Sequence, residues 1–173
     1  EIRLSLVGSE MCIRDSILSK GDDVMRVAIG SDHAGYELKS SLVKYLQHQK
    51  VEVHDMGTFS KESVDYPDYA IQVCQTVIRD NSDFGILICY TGIGMSIAAN
   101  KVKGIRAALV DNIENARLTR EHNDANVLCL GAKDVDCEKA KAIIDIFLNT
   151  NFTEGRHINR VKKVMNIEKN EKK

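Results

Sequence analysis

The chain has 173 residues, 43% of them apolar, and a net charge of −1 at pH 7. That length gives room for one sizeable core and little for two, the apolar content sets it apart from disordered chains, and the near-neutral balance supplies no global field to draw in nucleic acid or a membrane surface. No apolar run approaches the ~20 residues of a transmembrane helix, and the five cysteines, Cys12, Cys74, Cys89, Cys129 and Cys137, lack CxxC spacing, an odd, scattered set that fits the reducing cytoplasm.

Residues 1–24 show weak periodicity unlike that of the remaining chain, whereas Met25 runs straight into a strand pattern. They are read as an extension outside the fold, disordered or artefactual, and residues 25–173 as one domain. From Met25 the pattern alternates. Arg26–Ile29 predicts a strand that ends at Gly30-Ser31-Asp32-His33, and Tyr36–Gln47 carries Leu38, Leu42, Val43 and Leu46 at helical spacing. Val51–His54 predicts a second strand, followed by Asp55-Met56-Gly57-Thr58. Asp65-Tyr66-Pro67 then leads into a helix over Asp68–Arg79, with Pro67 at its first position. In Phe84–Asn100 the run Ile86-Leu87-Ile88 reads as a strand buried on both faces. It passes through Cys89, Tyr90 and Thr91 to a turn with Gly92 and Gly94, and then to a helix from Met95. Ile105–Val110 and Val127–Leu130 are further strands, Ile113–Glu121 and Cys137–Leu148 further helices, and a basic helix starts at Arg156. Five strands alternating with helices predict an α/β fold, a three-layer α/β/α sandwich on a five-stranded parallel sheet, Rossmann-like.

In such a sheet the loops after the strand C-termini share one edge. This gathers Asp32, His33, Asp55, Gly57, Cys89 through Gly94, and Asp111. Asp32 reads equally well as a helix N-cap, whereas His33 suits proton transfer or an anion. Cys89 stands beside the positive end of a helix, the setting of a reactive thiol; Cys74, Cys129 and Cys137 read as core. Gly92-Ile93-Gly94 begins like a dinucleotide fingerprint, but Ile97 holds the place of the third glycine and no GK[ST] occurs. What remains is a group of N–H donors able to hold a phosphate or an oxyanion. His122-Asn123 also fits a plain helix stop. Arg156 and Arg160, four apart on one helix face with His157 between them, suit a phosphate, and the lysines beyond them read as solvated surface.

The stretches GSDHAGYELK, DMGT, DYPDYA, ILICYTGIGMSIAANKVKGIRAA, REHNDANVLCLG and EGRHINRV occur in this order between Met25 and Ile167. Together they resemble the ribose-5-phosphate isomerase B family, whose wider family includes galactose-6-phosphate isomerase subunits. The resemblance implies an aldose–ketose isomerase that interconverts ribose 5-phosphate and ribulose 5-phosphate through a cis-enediolate, with no metal and no other cofactor. A six-carbon phosphosugar (allose 6-phosphate or galactose 6-phosphate) is the alternative substrate, and a non-catalytic phosphosugar-binding domain ranks behind both. By resemblance Cys89 is the general base, and N–H groups around Thr91, Gly92 and Gly94 hold the enediolate with help from Asn123. His122 is the acid/base that opens the sugar ring, with Thr91 nearby. Asp32 and Tyr66 match residues on substrate hydroxyls; His33, Arg156 and Arg160 match phosphate ligands, and His157 lies beside them. Lys133 stands where some members carry arginine, and Tyr90 where the family usually has a small residue. The resemblance further implies a homodimer or dimer of dimers with sites shared between subunits, and the cysteine set places it in the cytoplasm.

Overall fold

In a computed structural model that describes residues 24–170, six helices alternate with or follow five strands. In chain order these are β1 (Arg26–Ser31), α1 (Tyr36–His48), β2 (Glu52–Asp55), α2 (Tyr66–Ile78), β3 (Phe84–Cys89), α3 (Ile93–Ala99), β4 (Ala107–Leu109), α4 (Ile113–Asn123), β5 (Val127–Gly131), α5 (Cys137–Asn149) and α6 (Arg156–Asn170). Cys12 and the proposed extension lie, apart from Val24, outside the described residues.

Alternation along the strands sets the two faces of the sheet. Val27, Ile29, Ile86, Ile88, Leu128 and Leu130 pack into one core with α1 and α5, which contribute Leu42, Leu46, Ile143 and Phe147. Ala28, Leu87, Cys89 and Cys129 point the other way, onto Ala70, Val73 and Cys74 of α2 and Met95 and Ala99 of α3. The strands are all parallel, in the order β2-β1-β3-β5-β4. This is the expected three-layer sandwich, and among the described residues no helix is long and apolar enough to cross a membrane.

Some boundaries differ from the sequence reading. Helix α2 starts at Tyr66, so Pro67 is its second residue. Helix α3 starts at Ile93, which places Gly94 inside the first turn. Strand β4 is cut to three residues because the N–H of Arg106 donates to the side chain of Asn126 (2.8 Å) before the ladder begins. Cys137 opens α5 half-buried and is not core. The buried stripe of α1 is Lys39, Leu42 and Leu46, with a lysine in it.

Candidate active site

The sheet grows from β1 in opposite directions, α1 carrying the chain to β2 on one side and α2 carrying it from β2 back across β1 to β3 on the other, so the topological switch point lies between β1 and β3. Open α/β sheets bind ligands outside the strand C-termini at such a point. Here β1 runs into Asp32-His33 and β3 into Cys89, and the Asp32 N–H donates to the Ile88 carbonyl (3.1 Å).

Asp32 does serve the turn before α1: its Oδ1 accepts from the N–H groups of Ala34 and Gly35, both at 3.0 Å. Its Oδ2 has no hydrogen-bond partner among the described residues. The Nδ1 of His33 accepts from the Val64 N–H (3.2 Å), which leaves Nε2 to carry the proton of the neutral ring. Asp55 and Gly57, placed at this edge by topology, are scaffold. Lys39, 1% exposed, reaches both carboxylate oxygens of Asp55 at 2.6 Å. Asp55 Oδ1 also accepts from the Gly57 N–H (3.0 Å), and Gly57 and Thr58 pair with Ser31, just before Asp32.

Cys89 is 5% exposed, and its sulfur accepts the Gly92 N–H at 3.1 Å. Gly92 takes φ +74°, and a Cβ there would come 2.8 Å from the carbonyl carbon of Leu130, so both backbone angle and space require glycine. The Ile93 N–H donates to the Thr91 hydroxyl (3.3 Å). With these two engaged, the N–H groups of Gly94 and Met95 are first-turn donors with no helical partner. The Tyr66 ring lies over that turn, so close that a Cβ on Gly94 would meet its Cζ at 2.7 Å. Thr91, Asp111, Lys133 and Asp134 line a cavity of about 300 Å³ next door. Tyr90 turns out to solvent, 61% exposed.

The other predicted residues gather elsewhere. Helix α4 returns from the end of β4 to the start of β5, so His122 and Asn123 stand at the amino-terminal edge of the sheet. His157 of α6 stacks on His122, with ring centroids 4.3 Å apart and planes within 8°. Arg160 and Asn123 line a cavity of about 310 Å³ between α6, α4 and β4. Only the length of β3 separates the two edges, yet four residues from Gly85, beside Asn126, to Cys89 already span roughly 13 Å. Within one chain the thiol and the His122 cluster therefore stand at opposite edges of the sheet and do not meet.

A protein-family model described as Ribose/Galactose Isomerase matches residues 27–164. The chain is 48% identical to ribose-5-phosphate isomerase B of Escherichia coli over 143 residues, 83% of this chain and 96% of that protein. Among solved structures, ribose-5-phosphate isomerase B of Clostridium thermocellum superposes with a TM-score of 0.83 at 50% identity, covering 84% of this chain and 98% of that one. The Mycoplasma genitalium enzyme, solved with bound ribulose 5-phosphate, gives a TM-score of 0.81 at 42% identity over 84% and 97% of the two chains. The chain belongs to the ribose/galactose isomerase family.

As a family member it carries features that sequence reasoning did not find. The Lys39–Asp55 pair had one visible signal, a lysine three and seven residues before Leu42 and Leu46 on the buried face of α1. The contact from Val64 to His33 had none. Of the other core thiols, Cys74 has its pKa pushed up to about 12 by burial, and burial, with Cys74 and Cys89 nearby, holds Cys129 well above the ordinary thiol range. His157 is shifted down, chiefly by burial and further by His122, Arg156 and Arg160. Among the described residues, no group of three or more His, Cys, Asp or Glu side chains is gathered as a metal ion would need.

Proposed function

We propose that this family member interconverts ribose 5-phosphate and ribulose 5-phosphate, with Cys89 moving a proton between C1 and C2 of the open-chain sugar. The observation that carries the assignment is the thiol at the β1–β3 switch point, bonded to the Gly92 N–H at 3.1 Å and flanked by unpartnered first-turn donors. The thiolate form of a cysteine is the one able to take a proton. The N–H groups of Gly94 and Met95 then face charge developing on the enediolate oxygens; Gly92, which sequence reasoning placed among these donors, is occupied by the sulfur. Asp32, through Oδ2, and Tyr66 hold sugar hydroxyls, and Thr91 and Lys133 close the pocket. His33 offers Nε2–H to the phosphate, and fixing that non-reacting group keeps C1 and C2 in register with the thiol.

The complete site takes residues from two copies in a homodimer. The second copy brings His122 to open the ring, Asn123 to assist at the enediolate, and Arg156, Arg160 and His157 to the phosphate. Supporting this, the thiol edge exposes Ile93, Ile97 and Leu109 to 52%, 57% and 44%, a patch suited to burial against a partner. The free cysteines, Cys74, Cys89, Cys129 and Cys137 among the described residues, favour a cytoplasmic setting.

Cys89→Ala tests the base. Turnover of ribose 5-phosphate is expected to fall on the order of 10²–10⁴-fold with the melting temperature held; near-wild-type turnover would remove Cys89 from the mechanism. The cavity lined by Thr91, Asp111, Lys133 and Asp134 favours a second reading, a six-carbon phosphosugar. Comparing turnover of ribose 5-phosphate, allose 6-phosphate and galactose 6-phosphate by the wild-type protein decides between the two.

A further inference from the structure

Asp124 follows His122-Asn123 directly, and the proposed chemistry does not use it. It closes α4 in the left-handed region, φ 47° and ψ 46°, with its N–H on the Arg120 carbonyl (3.1 Å). Both carboxylate oxygens are taken: Oδ1 by Arg120 Nη1 at 2.8 Å and Oδ2 by Arg106 Nη2 at 3.0 Å. The same two guanidinium groups reach three consecutive carbonyls. Arg106 Nε donates to those of Asn123 (3.2 Å) and Asp124 (2.8 Å), and Arg120 Nη1 to that of Ala125 (2.7 Å).

The arginines are themselves anchored. Arg120 is 8% exposed, lies 4.8 Å from the ring centre of Phe84, and donates through Nε to the Thr150 carbonyl (3.3 Å). Arg106 sits just before β4 with its N–H on Asn126. A helix stop needs none of this, because glycine or asparagine takes the left-handed position readily. A carboxylate there is the worse electrostatic choice, since it faces the negative end of the helix dipole. The arginines overcome that penalty and in doing so fix the backbone beside His122 from the start of β4 and from the segment after α5.

We infer that Asp124, gripped by Arg106 and Arg120, is a positioning residue that holds His122 in the register ring opening requires. The inference rests on the proposed role of His122. Ribulose 5-phosphate cannot cyclise through its phosphorylated C5 oxygen, so solvent exchange of its C1 hydrogen needs the thiol but no ring opening. Turnover of ribose 5-phosphate needs both.

Asp124→Asn keeps shape and left-handed tolerance while removing the charge. Turnover of ribose 5-phosphate is expected to fall at least ~10-fold more than deuterium exchange at C1 of ribulose 5-phosphate, within the range a displaced catalytic group costs. His122→Asn is the reference and should show the same split, larger. Equal losses in both assays, or none, for Asp124→Asn while His122→Asn splits them would overturn the positioning role alone. Absence of a split in His122→Asn would overturn the ring-opening reading, and this inference with it. Should Asp124→Asn not fold, Arg106→Lys takes its place: it keeps a cation but loses the fork that spans carboxylate and carbonyls, and the same split is expected.

Discussion

His157 lies face to face with His122 on one side and carries Arg156 and the next helical turn, with Arg160, on the other. Burial, more than these neighbours, disfavours its charged form, so its pKa in the fold lies below the unfolded value near 6.5. The unfolded chain then binds the extra proton more readily, and the stability contribution is present above about pH 6.5 and lost as the pH falls from there through the folded value. His157→Phe keeps the stack and the burial but cannot take up a proton. Its melting temperature is expected to drop less than that of the wild type on acidification from about pH 7 to about pH 5.5. Parallel slopes for the two proteins would show that His157 is not the group being titrated.

Between β3 and α3 the critical position is Gly92. Alanine there meets a left-handed backbone that costs roughly 1–2 kcal/mol for an L-residue, and its Cβ would press both on the Leu109 side chain, which can swing away, and on the main chain of Leu130, which cannot. Gly92→Ala is expected to lower the unfolding free energy, read from urea melts, by more than about 1 kcal/mol. It should also lower turnover, because shifting this N–H removes the donor on the Cys89 sulfur. Unchanged stability and activity would mean that the turn adapts freely. This junction was largely legible in the sequence, because an apolar run, a cysteine and two glycines are adjacent. The start of α3 was misjudged for a tertiary reason: Gly94 reads as a turn residue, but it is glycine because Tyr66, nearly thirty residues earlier, occupies the space of its Cβ. Strand β4 was overextended because Ile105 is buried like a strand residue while Arg106 bonds to a side chain. The grip of Arg106 on Asp124 left no pattern at all, since a contact across 18 positions between two ordinary surface residue types has no periodicity to reveal it.

At the scale of the molecule, the strand order and the return path of α4 set the thiol and the stacked histidines at opposite ends of the sheet. Two defective variants should then repair each other. Cys89→Ala damages one half-site and His122→Asn the other, so in a mixed dimer both lesions fall in one site and leave the second intact. Mixing the two after dissociation and reassociation is expected to restore roughly a quarter of wild-type activity, the statistical yield of one good site in half of the dimers. No recovery would place both half-sites in one chain's own active site.

The distance between those half-sites also ties chemistry to abundance. In the proposed dimer, a subunit by itself carries the thiol and His33, but its own His122, the group assigned to ring opening, stands at the other edge of the sheet. Dilution below the dissociation constant of that proposed dimer would silence the enzyme, with rate falling as the square of chain concentration. A newly made chain would be chemically quiet until it met another, and a cell making little of this protein would have disproportionately little of the activity.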